Sequence, residues 1–232
     1  IALTEAMGYH QDAPVNLGRD IRQNENCVWV TEDEITDTIF QRCAHLLPQR
    51  FELPRRDGTG MQIGPIAGLN ARWRLYKYSP GDIFRRHHDG SWTPSAIIDG
   101  PDGVQASPHT RAAPRPAILH HPVDLTESPL RGACQVEHDV ESATRLSFMT
   151  FLMYLNDGFE GGETTFYLQA PVGGLHPVPV EPVQGSVLCF WHGQHPRSPM
   201  HEGSAVRRGT KYVARSDVLY EVLGGWQMAL MR

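Results

Sequence analysis

The residues best suited to chemistry lie in one stretch, Tyr78-Ser-Pro-Gly81-Asp-Ile-Phe84-Arg-Arg-His87-His88-Asp89. Ile83–His88 reads as the start of a strand, and on a strand side chains two apart share a face, so His87 and Asp89 can grip one ion together. A distant second histidine would complete a set of two imidazoles and one carboxylate, which on iron(II) leaves about three coordination positions open. His201 offers such a histidine, within His201-Glu-Gly-Ser-Ala-Val206-Arg-Arg-Gly209-Thr-Lys211-Tyr. A cation follows ten positions later (211 − 201) at the start of another strand. A buried ammonium needs an anionic partner, and the carboxylate of a bound ligand would be one. The competing readings are a surface or hydrogen-bonded His-Asp pair and a solvated lysine at a strand end.

These groups need a scaffold, and the sequence predicts a mostly β one. Residues Ile1–Gly8 read as the end of a helix. Thr31 and Glu34 form a capping-box pattern, with Ile35, Ile39, Cys43, Leu46 and Leu47 at helical spacing, so a helix is expected over Glu32–Leu47 and Pro48 closes it. From Asn70 the period changes to two: Trp73, Leu75 and Lys77 on one face, Arg72, Arg74, Tyr76 and Tyr78 on the other. A strand with polar-tipped groups on its second face suits a barrel lined for a ligand. Ser79-Pro80-Gly81-Asp82 is a turn. Leu146–Leu155 reads as a buried strand, Gly158–Gly162 as a turn, and Thr164–Leu168, Gly185–Trp191 and Lys211–Leu219 as further strands. Pro171–Pro182 reads as a proline-rich connection. Many short strands after a helical flank favour a sandwich or jelly roll over alternating α/β.

Residues 90–144 break this rhythm. Seven prolines lie from Pro94 to Pro129, with His109, His120, His121 and His138 scattered among polar residues. A connection this long in a compact domain is a lid, a binding loop or disordered, and a mobile lid is expected here. Its histidines match no zinc spacing.

Composition narrows the class. With 232 residues, 40% hydrophobic and 20% charged, the chain can build a core without disulfides or a structural metal. The net charge of −5 disfavours a nucleic-acid partner; Arg111 and Arg115, and Arg207 and Arg208, allow a small basic patch only. Cys27, Cys43, Cys134 and Cys189 form no CxxC pair and read as free thiols of a reducing compartment. No apolar run approaches the ~20 residues of a membrane span, so no membrane partner is expected. No charged-then-apolar leader follows Ile1. A cytoplasmic or nuclear location is expected; what precedes Ile1 and the oligomeric state are not legible.

Three motifs in order resemble the prolyl 4-hydroxylase branch of the Fe(II)/2-oxoglutarate-dependent oxygenases. They are Tyr-x2-Gly-x2-Phe-x2-His-x-Asp ending at Asp89, then Tyr154-Leu-Asn156-Asp-Gly-Phe-Glu-Gly161-Gly162-Glu163-Thr164-Thr165-Phe166, then His-x4-Val-x2-Gly-x-Lys from His201 to Lys211. The resemblance covers roughly Arg72 to Tyr220. It implies a double-stranded β-helix (a jelly roll) in one domain over 1–232. Residues 1–69 would be helical flank and support strands, and 70–232 the core with its 90–144 insertion. It implies iron ligands at His87, Asp89 and His201, and Lys211 paired with the far carboxylate of 2-oxoglutarate. Tyr78 and Tyr154 match tyrosines that hydrogen-bond this cosubstrate, with Thr165 assisting. His88 lacks the same-face relation to Asp89, and neither His192 nor His195 carries the following Val-Gly-Lys pattern. His192 is either a group that orients a metal ligand or a packed histidine.

The implied reaction consumes O2 and 2-oxoglutarate, releases succinate and CO2, and hydroxylates a C–H bond, with ascorbate as a possible reductant. No side chain beyond the metal ligands is assigned as catalytic acid or base. A prolyl residue of a peptide or protein is the substrate the resemblance implies. Arg74, Trp191, Arg215 and Asp217 are candidate mouth-lining groups, Arg215 and Asp217 following Lys211 by even steps. Trp92 is placed to close over a substrate. The insertion departs from the compact pattern by setting Asp89 and His201 apart by 112 positions (201 − 89). The alternatives are a small-molecule 2-oxoglutarate oxygenase and a non-catalytic jelly-roll binding module.

Overall fold

A computed structural model describes residues 1–10, 21–54, 58–100, 103–107, 144–171 and 173–222. The core strands, in chain order, are β1 (Arg22–Gln23), β2 (Glu25–Val30), β3 (Arg72–Tyr78), β4 (Ile83–His87) and β5 (Arg145–Tyr154). They continue with β6 (Thr164–Gln169), β7 (Leu175–Val180), β8 (Val187–Trp191), β9 (Met200–Gly203) and β10 (Lys211–Glu221). One sheet runs β8-β5-β10-β3-β2 and the other β1-β4-β9-β6-β7. From β3 to β10 the chain passes repeatedly between the sheets, and all neighbours within each sheet are antiparallel. This is a double-stranded β-helix, the jelly roll expected from the strand pattern.

Side-chain parity explains why the larger sheet has a dry face and a functional face. Trp73, Leu75, Met149, Phe151, Ala214, Val218 and Tyr220 pack on one side with Met61, Ile63 and Leu53. That side is covered by the hairpin of Phe51–Pro54 and Gly60–Ile63 and by the helix Asp33–Cys43, through Ile39, Phe40 and Cys43. The opposite parity sends Tyr76, Tyr78, Thr150, Leu152, Lys211, Val213 and Arg215 into the space between the sheets. A register shift between Ser147 and Met149 keeps both Phe148 and Met149 in the dry core. It absorbs one residue and so sets the inward parity of Thr150.

Several sequence-based expectations are corrected. A helix does occupy Ala2–Met7, but the second one spans Asp33–Cys43, followed by a 3-10 turn at Ala44–Leu46. The Thr31–Glu34 capping box does not form. The Thr31 hydroxyl is instead bonded to Thr36 Oγ1 at 2.7 Å, and its backbone N–H donates to the Ala71 carbonyl at 2.9 Å. Of the helical apolar positions, Ile35 and Leu46 face solvent. The proline-rich stretch contains the strand β7, in which Pro177 and Pro179 lie opposite Tyr167 and Thr165. Both prolines share one parity, so their missing N–H groups point off the edge of the smaller sheet, where a donor is not needed. Strand β8 starts at Val187 and lies at a sheet edge, with Phe190 alone buried.

The insertion starts as packed structure. The Thr93 carbonyl accepts from Asn70 Nδ2 at 2.9 Å and the Ser95 N–H donates to Asn70 Oδ1 at 3.0 Å. A hairpin follows, Ala96–Gly100 with Gly103–Ser107. The lid expectation otherwise falls on 108–143, outside the described residues, as do Arg111, Arg115, Cys134 and the four insertion histidines. Cys27, Cys43 and Cys189 are free thiols. Among the described residues no helix is long and apolar enough to cross a membrane.

Candidate metal centre

Strands β4 and β9 are antiparallel neighbours in which His87 and His201 stand directly opposite each other. This register brings together two imidazoles that are far apart in sequence. One step past β4 the exposed His88 points out, and the next, Asp89, is buried. Its carbonyl accepts the Gly193 N–H at 2.9 Å, which fixes the chain after the strand. Ligand atoms of His87, Asp89 and His201 all lie within 4.8 Å of one another. The Nδ1 atoms of His87 and His201 face the carbonyls of Arg85 (2.7 Å) and Pro199 (3.2 Å). Those contacts assign the proton to Nδ1 and leave each Nε2 lone pair directed at the carboxylate, 3.5 and 3.6 Å from its oxygens.

The charges are arranged to keep this set ready for a cation. Burial alone would raise the Asp89 carboxyl, but the Arg215 guanidinium and the His87 and His201 rings outweigh it and hold it well below the usual carboxylate range. Burial pushes the His201 imidazole down to about 4 against the pull of Asp89, so it is a neutral ligand at ordinary pH. A carboxylate with two imidazoles is the donor set that iron(II) takes with positions to spare.

Both Asp89 oxygens are held from behind. Arg215 Nη1 lies 3.0 Å from Oδ1, and Thr150 Oγ1 donates to Oδ2 at 2.7 Å. Thr150 belongs to a directed chain. The Trp92 N–H donates to Ser147 Oγ (2.7 Å), Ser147 meets His192 Nε2 (2.9 Å), and His192 Nδ1 meets Thr150 Oγ1 (3.0 Å). Since Thr150 gives its proton to Asp89, it accepts from His192 Nδ1–H, and Ser147 O–H must then donate to Nε2. His192 is fully buried and its pKa is lowered, mainly by that burial. It is therefore the neutral link that orients Thr150 on Asp89. His195 takes no part: it stacks on Trp191 at 3.9 Å.

A cleft opens from the cluster between the sheets, lined at one side by Tyr78, Thr164 and Lys211. Lys211 is 3% exposed, and burial lowers its pKa to about 8, with Glu163 pulling the other way. Its Nζ donates to the Gly162 carbonyl at 2.5 Å and lies 5.4 Å from the ring centres of Tyr78 and Tyr154. Gly162 has φ +69°, and a Cβ there would come within 3.1 Å of Lys211 Cδ, so the Gly161-Gly162 pair shapes the end of the cleft. An apolar collar surrounds the cluster: Phe84 stacks on His87 at 3.6 Å and Phe190 meets His201 edge-on at 4.7 Å.

Of the residues expected to contact cosubstrate, Tyr78 and Lys211 line the cleft, and Tyr154 reaches it through a 2.7 Å hydrogen bond to Thr164. Thr164 lines the cleft, and Thr165 is not among its lining residues. Odd positions of β6 face away, and Thr165 Oγ1 is spent on Ser204 Oγ at 2.9 Å. Among the substrate candidates, Arg215 lines the cleft. Arg74 and Asp217 are instead a buried ion pair behind it, with Asp217 Oδ1 also 3.3 Å from Arg215 Nη2. Trp92 does not cover the cleft; its ring receives the guanidiniums of Arg72 and Arg74 at 5.0 and 4.6 Å. Trp191 packs between Phe51 and His195. Sequence reasoning missed Ser147, Thr150, Tyr76 and Thr164; the first two were visible only as hydroxyls inside an apolar run.

No family model and no curated protein matches the chain. Solved structures do. A Pseudomonas putida prolyl-4-hydroxylase aligns over 92% of this chain and 78% of its own, at 14% identity and a TM-score of 0.46. A Trichoplax adhaerens prolyl hydroxylase, in complex with a hypoxia inducible factor peptide fragment, aligns over 94% and 73%, at 15% and 0.48. A viral collagen prolyl hydroxylase from Paramecium Bursaria Chlorella virus-1 aligns over 87% and 80%, at 14% and 0.39. The fold assignment itself rests on the strand order and parity above.

Proposed function

We propose that this protein is an Fe(II)- and 2-oxoglutarate-dependent dioxygenase that hydroxylates prolyl residues of a peptide or protein. The observation that carries the oxygenase reading is one cleft with a His-Asp-His cluster beside a buried ammonium that forms no ion pair among the described residues. His87, Asp89 and His201 would hold the iron, and Lys211 would take the far carboxylate of 2-oxoglutarate. When bound, iron and 2-oxoglutarate supply the activation of dioxygen needed to oxidise an unactivated C–H bond. The chain's own residues do the rest. Arg215 and Thr150 keep the Asp89 carboxylate in one orientation, and Tyr154 and Thr164 set the cleft wall. The Phe84 and Phe190 rings exclude water from the metal. The prolyl substrate rests on the three sequence motifs.

The test is anaerobic titration of the protein with iron(II) and 2-oxoglutarate, following the weak visible charge-transfer band of the chelate. The band is expected in the wild type and absent in His87→Ala and His201→Ala. Iron binding without a band would remove 2-oxoglutarate from the reading, and no iron binding would leave a jelly-roll binding module.

A further inference from the structure

Asp89 ends a buried ladder of alternating charge. Arg74 pairs with Asp217, Asp217 Oδ1 lies 3.3 Å from Arg215 Nη2, and Arg215 Nη1 lies 3.0 Å from Asp89 Oδ1. All four side chains are less than a tenth exposed. The two Asp89 oxygens are therefore unlike. Oδ1 faces a full positive charge, whereas Oδ2 accepts from a neutral hydroxyl, that of Thr150, at 2.7 Å.

Asp217 is already paired with Arg74, and a buried ion pair is by itself weak evidence for a gain in stability. The place of Arg215 says more. It lines the cleft together with Lys211, and the two share a face of β10 four positions apart, about 13 Å along the strand. Lys211 sits on the Gly162 carbonyl at one end, and Arg215 sits at the other on the carboxylate of the His-Asp-His cluster. A guanidinium so placed acts twice on a metal held by Asp89. Its charge-assisted bond draws on one carboxylate oxygen and weakens the carboxylate as a donor. Its charge also repels a cation, in a buried site where screening is small. The repulsion grows with the charge of the ion, so a trivalent metal is opposed more than a divalent one.

We propose that Arg215 sets the redox poise of the centre, disfavouring iron(III) relative to iron(II) and so keeping the resting metal in the state from which the proposed oxygenase works. The inference rests on the iron site proposed above. It makes Arg215 a positioning residue that acts through Asp89 by its charge, a role Thr150 on the other oxygen does not share.

The test reads the one-electron potential, iron(III) plus one electron giving iron(II), by mediated spectroelectrochemistry of the full chain loaded with iron alone. Arg215→Gln keeps a donor for Asp89 but removes the charge, and Asp217 retains Arg74. Binding of iron(III) should tighten over that of iron(II) by about tenfold or more, a fall in potential of about 59 mV or more. Arg215→Lys keeps the charge and should show less than half of that fall. Thr150→Val removes a bond to the same carboxylate with no change of charge, so it should weaken both oxidation states alike and leave the potential near that of the wild type. A wild-type potential in Arg215→Gln, or an equal fall in Thr150→Val, overturns the proposal. Should Arg215→Gln not fold, Arg215→Met, which removes the charge and fills much of the volume, is judged by the same two criteria. Failure of the wild type to bind iron would instead sink the oxygenase reading, and this inference with it; iron bound with an unmoved potential sinks this inference alone.

Discussion

Replacing Lys211 by Met should damage cosubstrate binding and improve the ligand-free fold, an opposition that a merely structural lysine would not show. Lys211 is buried, and desolvation lowers its ammonium from the ordinary 10.5 to about 8. That displacement corresponds to roughly 3 kcal/mol of unfavourable free energy in the charged form. The sign follows from linkage. Between pH 8 and 10.5 the unfolded chain holds the proton and the folded one does not, so stability rises with pH across that window. Below it the full cost is present. Lys211→Met removes the charge with little loss of volume, so at pH 7 the ligand-free variant should be up to about 3 kcal/mol more stable, less what the lost Gly162 bond contributed. The difference between wild type and variant should shrink as pH rises from 8 towards 10.5. Binding of 2-oxoglutarate to the iron-loaded protein should fall by at least ~100-fold, since its far carboxylate would be left unpaired. In the wild type this affinity should be flat below pH 8 and decline above it, as the free site loses its proton. Urea denaturation and anaerobic titration measure the two arms. A variant that is strongly destabilised, or that binds 2-oxoglutarate normally, would refute the reasoning.

Thr150→Val removes the donor to Asp89 Oδ2 and strands His192, so iron(II) affinity should drop about 10- to 100-fold, read by cobalt(II) substitution spectra, with the fold retained. Asp217→Ala leaves Arg74 and Arg215 buried without their shared carboxylate, and thermal unfolding should show a loss of about 3–5 kcal/mol. Thr164→Val should weaken 2-oxoglutarate binding several-fold, because it strips the partner of the Tyr154 hydroxyl. Thr165→Ala, on the outward parity of the same strand, should leave the titration unchanged.

What the sequence determined by itself is what depends on local spacing. His87 and Asp89 share a face because they are two apart at the end of a strand, and His88 is excluded by the same parity. Alternation in Arg72–Tyr78 left neither face purely apolar but marked one of polar-tipped groups suited to a ligand, and the apolar run ending at Tyr154 marked a core strand. The positions of Lys211 and His201 followed from a motif whose spacing spans one turn and two strands. The tertiary structure decided what depends on pairing between strands distant in sequence. That His87 stands opposite His201 is a register of β4 on β9. That Thr150, not Ser147, reaches Asp89 depends on a bulge in β5 that shifts the parity by one residue. Arg74 and Asp217 looked like mouth residues because their strands had the correct parity. They proved to neutralise each other below the cleft floor, since an ion pair is set by distance across two strands and leaves no mark in either.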